Sequence, residues 1–195
     1  MSKTSFLYES IISYRYKIFK IILFELFYSL VYFKKDQKNF KEPHIHPCPY
    51  YFNYKLSKFI NKREIKKVVE LGCGFGRITN FLADNTHSKI FGYELDLEAF
   101  KSAYKSKFQN VSIKHCDILK INYNRNKFDA YILNDPFFQP NKKNIKIYKN
   151  LIQKIYKSKK NSKKKYYIIA INFIEKKRKV FSKYNLIKKV SAGPG

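Results

Sequence analysis

The chain has 195 residues, of which 45% are hydrophobic and 18% aromatic, and its formal net charge is +27. This length suits one domain and this apolar content suffices for a packed core, which argues against global disorder and against a second full domain. Its three cysteines, Cys48, Cys73 and Cys116, have no paired spacing, which favours a reduced, cytoplasmic protein.

The positive charge is concentrated toward the C-terminus. Between Asn141 and Lys189 the acid Glu175 stands alone among many lysines. Three interpretations fit such a charge: a solvated basic surface, contact with an anionic membrane, or contact with nucleic acid. The chain is also rich in Lys, Ile, Asn, Tyr and Phe, whose codons are A/T-rich, so part of the charge reflects composition.

An amphipathic helix is predicted within Ile11 to Phe33. Apolar residues recur there at helical spacing, but Glu25 and several cations interrupt a run that would need roughly 20 apolar residues to span a bilayer. Two interpretations remain open. The helix packs on the domain, or it makes peripheral membrane contact through residues 11–33, at the inner face of the membrane.

The loop from Lys34 to Pro49 follows this helix. His44, His46 and Cys48 alternate along it, but alternating side chains on extended chain converge poorly on one ion, and no second cluster completes a tetrahedral shell. No metal site is predicted. We therefore divide the chain into an N-terminal helix and cap loop, residues 1–47, and a main domain, residues 48–195.

From Lys66 onward the chain alternates short apolar runs with stretches of helical length. That alternation is typical of a parallel α/β sheet, in which ligands bind outside the carboxyl ends of the strands. The predicted strands are Lys67 to Leu71, Ile90 to Leu95, Val111 to His115, Phe128 to Leu133 and Tyr166 to Phe173.

The stretch from Val68 to Thr79, VVELGCGFGRIT, places a glycine loop at the end of the first strand. A dinucleotide fingerprint would need a third glycine where this chain has Arg77, and the Gly-Lys-Ser/Thr of a phosphate loop is absent. Glu70 stands two residues before the first glycine. Its carboxylate would repel a pyrophosphate, so the expected ligand carries positive charge.

Four motifs resemble those of class I S-adenosylmethionine (SAM) dependent methyltransferases, in particular small bacterial ones with a Pro-Tyr segment and a Gly-Arg loop. The resemblance covers about Cys48 to Phe173. It implies a Rossmann-like, doubly wound, mostly parallel sheet of six to seven strands, and SAM as the cofactor. The motifs are Glu70 to Arg77, Gly92 to Asp96, Cys116-Asp117 and Asn134 to Phe137, each following a predicted strand.

The resemblance also implies roles in cofactor binding. Glycines at 72, 74 and 76 would let backbone amides approach the methionine part of SAM, and Glu70 would attract its ammonium group. Glu94 would accept the ribose hydroxyls and Asp117 would hold the adenine amino group. The predicted cofactor-binding set is Tyr50, Glu70, Gly72, Cys73, Gly74, Gly76, Glu94, Leu95, Asp117 and Ile118.

The segment Asn134, Asp135, Pro136 and Phe137 is predicted to be catalytic. It resembles the N-P-P-Y motif of amino-methyltransferases, with Asp135 in place of the usual proline, and in a second register it resembles N-P-F. The polar group and backbone carbonyl would accept hydrogen bonds from the target nitrogen, and the aromatic ring would stack on a planar acceptor. Asp135 is the candidate base.

The C-terminus departs from the family pattern. A helix is predicted over Glu175 to Tyr184 and a strand over Asn185 to Val190, after which a turn ends the chain, so the family's last strand is expected to be missing. A neighbouring strand edge would then be exposed.

Three hypotheses about function follow. The first is a SAM-dependent methyltransferase that acts on a nitrogen or oxygen of a small molecule, a glycan or a lipid-linked acceptor near the membrane. The second is an amino-methyltransferase acting on protein or nucleic acid, and the third is a non-catalytic basic adaptor with a degenerate methyltransferase fold. The oligomeric state is open.

Overall fold

The computed structural model describes residues 19–31 except 21 and 29, and residues 48–171 except 106, 107, 126, 135, 138–140 and 160–164. The described residues between 19 and 31 are helical, and we call this helix α1. The other elements are α2 Tyr50–Lys62, β1 Lys67–Leu71, α3 Arg77–Asn85, β2 Lys89–Glu94, α4 Leu97–Tyr104, β3 Val111–His115, β4 Ala130–Asn134, α5 Lys142–Lys159 and β5 Tyr167–Ile171.

The five strands form one parallel sheet in the order β3-β2-β1-β4-β5. The chain runs from β1 outward through β2 to β3 and then returns to β4 on the other side of β1. The strand order therefore reverses between β1 and β4, which is where a parallel α/β sheet opens a crevice for a ligand. This arrangement confirms the predicted Rossmann-like α/β fold.

The central strands are apolar because both of their faces are covered. Four of the five residues are buried in β1 and again in β4, whereas the outer strands β3 and β5 are only partly buried. Side chains of α5 pack on one face, where Tyr148, Leu151 and Ile155 are fully buried beside Tyr131 of β4. The helices α2 and α3 cover the opposite face. Continuous apolar runs of this kind are typical of doubly covered parallel strands.

Three of the five strands differ from the prediction by one or two residues at their ends, since β2 begins one residue earlier, β4 ends one residue later, and β5 begins at Tyr167 and is described to Ile171. The second strand does not include Leu95, because the Glu94 carboxylate accepts the backbone N–H groups of Leu95 and Asp96 and turns the chain out of the ladder. The fourth strand begins at Ala130 rather than at Phe128, whose ring is buried before the regular pairing starts. An apolar run marks burial, and burial begins here before strand pairing.

Several predictions lie outside the described residues. They are the C-terminal helix from Glu175, the strand from Asn185, the missing last strand, and the loop with His44 and His46. Within the described ranges the sheet has five strands, against the six to seven predicted. The division of the chain at residue 47 stays a prediction.

Candidate cofactor and acceptor site

The glycine loop leaves β1 and stays bound to β2. The backbone N–H groups of Gly72 and Cys73 both donate to the carbonyl of Tyr93, at 2.9 and 3.0 Å. Gly72, Gly74 and Gly76 have φ angles of +79°, +52° and +80°. A side chain is strained in that region, which explains glycine at alternate positions of the loop.

The first of these glycines also brings the loop against the segment that follows β4. A Cβ atom on Gly72 would lie 3.0 Å from the Cβ of Pro136, closer than two carbon atoms pack without displacement. The glycine loop and the segment after β4 therefore meet where the strand order reverses between β1 and β4, although Gly72 and Pro136 are 64 positions apart in the sequence.

The Glu94 carboxylate joins the glycine loop to the end of β2. Its Oε2 accepts the N–H of Gly74 at 2.7 Å, and its Oε1 accepts the N–H groups of Leu95 and Asp96 at 2.8 Å each. Hydrogen bonds from neutral donors to an ionised acceptor are short and strong. The Glu94 side chain is half-buried, and carboxylate oxygens have further lone pairs, so Glu94 can also accept a ligand hydroxyl.

Glu70 lies deeper than the sequence suggested. Its side chain is buried at the end of β1, where its Oε2 accepts the hydroxyl of Thr79 at 2.5 Å. Burial raises the pKa of Glu70 to about 8, and the hydrogen bond from Thr79 opposes that rise. Glu70 is therefore a buried carboxylic acid beneath the glycine loop. A cation bound nearby would lower its pKa and favour the ionised form.

The other predicted cofactor residues lie along the same edge of the sheet. Asp117 follows β3 and its Oδ1 accepts the N–H of Leu119 at 2.8 Å, which fixes the turn. Ile118 is buried in the core, whereas Leu95 is 64% exposed and free to meet a flat ligand face. The Cys73 thiol is buried, and burial holds its pKa well above the usual range.

Tyr50 is buried beside the start of α3. The Arg77 guanidinium lies over its ring at 4.0 Å, and the ring of Phe81 packs beside it at 5.7 Å. The ring is 1% exposed, so its predicted contact with the cofactor would have to be indirect.

The acceptor segment is described in part. Asn134 ends β4, and Pro136 and Phe137 follow it with half-buried side chains. The Phe137 ring packs edge-on against Tyr148 of α5, with the centroids 6.1 Å apart. Asp135, the candidate base, lies outside the described residues. The structure thus places three of the four predicted catalytic residues beside the glycine loop.

Sequence reasoning missed the ion pair between Arg77 and Glu25. Arg77 begins α3 directly after the glycine loop, and its Nη2 donates to the carboxylate of Glu25 on α1. The other carboxylate oxygen of Glu25 accepts the backbone N–H of Tyr50. The one sequence signal for this pair was Glu25 itself, since a charged residue in the middle of an apolar helix usually has a partner.

Among the described residues, no cluster of three or more His, Cys, Asp and Glu side chains is arranged to hold a metal ion. Cys48, which the sequence placed beside His44 and His46, is fully buried.

Residues 62–193 match the sequence model of a methyltransferase-domain family. A probable ribosomal RNA small subunit methyltransferase A from Methanococcus maripaludis is 36% identical over 87 residues, which are 42% of this chain and 33% of that protein. The chain spans about a third of the length of that relative.

Two solved structures are also similar. The methyltransferase domain of bacterial CtHen1 is 14% identical, with 51% of this chain and 56% of that one covered and a TM-score of 0.44. Magnesium protoporphyrin IX methyltransferase from Synechocystis, solved with bound SAM, is 13% identical, with 52% of each chain covered and a TM-score of 0.43. Both TM-scores lie below 0.5, so the family match carries the assignment.

The chain belongs to the methyltransferase-domain family, and SAM is the cofactor that its sequence predicts. The site fits that cofactor. The glycine loop leaves no room for side chains, Glu94 offers hydroxyl-accepting oxygens, and Glu70 can ionise beside an ammonium group. When bound, SAM supplies a methyl group on a sulfonium, and the chain's own residues position it.

Replacing Gly72 with alanine should weaken the site. The added methyl group meets Pro136, and a left-handed backbone costs a non-glycine residue roughly 1–2 kcal/mol. We expect calorimetric SAM affinity to fall at least about fivefold and the melting temperature to drop. Ser112→Thr, which adds a methyl group to an exposed residue of β3, is the control. Equal SAM affinity in Gly72→Ala and wild type would contradict the close approach.

Replacing Glu94 with glutamine should loosen the loop without changing the size of the side chain. Glutamine has one accepting oxygen, so either the Gly74 N–H or the Leu95 and Asp96 N–H groups lose their partner, at about 1–3 kcal/mol. SAM affinity and thermal stability should both fall. Glu98→Gln removes a different acid, whose exposed pair with Lys101 contributes little. If the two variants behaved alike, Glu94 would not have this role.

Glu70 should make stability depend on pH. Its pKa in the folded protein, about 8, lies above the ordinary value of 4.5 for a glutamate, so the folded state holds the proton more tightly. The free energy of unfolding should therefore fall as the pH rises from about 4.5 to 8, and Glu70→Gln should remove that part of the decline. Denaturant unfolding of both proteins across this range measures the difference. Parallel curves would show that Glu70 titrates normally.

Proposed function

We propose that this enzyme transfers the methyl group of SAM to a nitrogen or oxygen of a small molecule, a glycan or a lipid-linked acceptor near a membrane, at its cytoplasmic face. One observation carries the proposal. The helix α1 is joined to the start of α3 through Glu25 and Arg77 and exposes apolar side chains on its outer side. An acceptor held in lipid would thus be near the cofactor loop.

The geometry supports methyl transfer beside the end of β4. Methyl transfer from a sulfonium is an in-line displacement, for which the protein mainly positions the two reactants. Pro136 touches the glycine loop, which supports placing Asn134 and Phe137 beside the bound cofactor in this proposal. In the proposal the oxygens of Asn134 accept hydrogen bonds from the acceptor, Phe137 packs on it, and Asp135 takes up the proton that leaves the attacking atom.

A nucleic-acid acceptor is the second candidate. One relative is described as a ribosomal RNA methyltransferase, and the helix α5 has no acidic residue. Its exposed lysines include Lys142, Lys143, Lys146 and Lys149, in the first part of the helix that follows the acceptor segment. Lysines in such an arrangement can neutralise phosphates, and binding would then weaken steeply as salt is raised.

The two candidates differ in where a labelled methyl group ends up. The full chain is incubated with methyl-labelled SAM and, in parallel, with a total lipid extract, a small-molecule fraction and total RNA. We expect label in the organic or small-molecule phase. Label in RNA, together with a steep salt dependence, would replace the first candidate by the second. Label in no fraction, from a protein that binds SAM, would contradict both candidates.

Asn134→Ala tests the assignment of the transfer site. Loss of the side-chain hydrogen-bond acceptor should lower kcat/KM by about a hundredfold, because a misplaced reactant costs a rate factor of that order. SAM affinity should change little, because Asn134 lies on the acceptor side of the loop. Asn150→Ala, at an exposed position of α5, is the matched control. Unchanged turnover in Asn134→Ala would show that the methyl acceptor does not bind at the end of β4.

A further inference from the structure

The helix α1 has two different sides. One side faces the domain through Phe24, Glu25 and Tyr28, which are partly buried. The other side, which we call the outer face of α1, consists of large apolar residues that are about half to four-fifths exposed. Its members are Phe19, Ile22, Leu23, Leu26, Phe27, Leu30 and Val31.

The inner side fixes the orientation of the helix. The Phe24 ring lies 5.6 Å from Tyr51 and 5.1 Å from Tyr54 of α2, and the Tyr28 ring lies 5.0 Å from Phe81 of α3. Glu25 adds its ion pair with Arg77. The helix therefore cannot rotate its outer face inward without breaking this aromatic and ionic contact.

Exposed cations lie on α2, the helix against which α1 packs. The Nζ atoms of Lys55 and Lys58 lie over the rings of Tyr51 and Tyr54, at 4.7 and 5.4 Å, and these rings are the ones that Phe24 contacts. Both lysines are exposed. An aromatic and aliphatic face with cations on the neighbouring helix matches an anionic lipid surface, where apolar side chains enter the acyl boundary and cations meet headgroups.

We propose that the outer face of α1 docks on the surface of an anionic membrane. Leu26 is 62% and Leu30 is 78% exposed, and insertion into lipid would remove both from water. The helix lies on the surface and does not cross it. Among the described residues no helix is long and apolar enough to span a bilayer.

The other occupants of such a face fit less well. A second copy of this chain would bring a net charge of +27 against an equal charge, and that repulsion opposes association. Nucleic acid is bound through phosphates and base edges, so it gives no reason for seven exposed apolar side chains. Lipid is the occupant for which both the apolar residues and the lysines of α2 are needed.

This inference rests on the proposed function in one respect, since it identifies the membrane near which the acceptor is found. Docking would place the start of α3, and with it the glycine loop, close to the lipid, because Arg77 is bonded to Glu25 of the docked helix. The membrane contact itself does not require that the acceptor be a lipid.

Vesicle co-sedimentation of the full chain tests the proposal. Wild-type protein should bind vesicles of phosphatidylglycerol and phosphatidylcholine, and should bind pure phosphatidylcholine vesicles at least about tenfold more weakly. The double variant Leu26→Ser/Leu30→Ser should lower the partition coefficient by about tenfold or more, because two exposed leucines no longer enter the lipid. Tyr104→Ser, which removes an equally exposed apolar side chain from α4, should bind like wild type.

Three results would overturn the proposal. The first is wild-type protein that does not bind anionic vesicles. The second is equal vesicle binding by the leucine variant, which would leave basic charge alone as the cause. The third is a wild-type dimer that the leucine variant dissociates, which would make a second copy the occupant. Calorimetric SAM titration of wild type and variants keeps the two proposals apart, because wild-type protein that binds SAM but does not bind anionic vesicles contradicts docking alone.

Discussion

Three backbone hydrogen bonds to the Glu94 carboxylate hold the cofactor site together. They tie Gly74 of the loop after β1 to Leu95 and Asp96 after β2, at the point where two neighbouring parallel strands end. The N–H groups of Gly72 and Cys73 bind the first part of the loop to the Tyr93 carbonyl, and the Glu94 carboxylate fixes Gly74 in its centre. The segment that follows β4 depends on the shape of this loop, because Pro136 packs where Gly72 has no side chain.

The ion pair between Glu25 and Arg77 connects this site to the N-terminal helix. Arg77 stands where a dinucleotide-binding loop would have glycine, and its guanidinium lies between the ring of Tyr50 and the carboxylate of Glu25. The side chain of Arg77 is 7% exposed and that of Glu25 is 29% exposed, so loss of Glu25 would leave an uncompensated charge on the buried Arg77. Arg77, the residue that argues against a dinucleotide fingerprint, is thus also the residue that holds α1 on the domain.

Much of the fold was predictable from the sequence, because parallel strands buried on both faces appear as apolar runs. The bounds of β1 and β3 agree with the prediction, and the family is confirmed. The predicted roles of the site residues stay predictions. Pairings between distant side chains, such as Thr79 with Glu70 or Arg77 with Glu25, could not be predicted. They depend on how helices pack, and one chain without an alignment contains no record of that.

Hydrogen exchange of the full chain, measured by mass spectrometry with and without saturating SAM, tests the central claim most directly. If the glycine loop and Glu94 hold the cofactor, exchange should slow in peptides covering residues 70–77 and 92–97, where the backbone N–H groups are bound to Tyr93 and Glu94. Exchange that is unchanged in both segments while SAM is bound would contradict this account of the site.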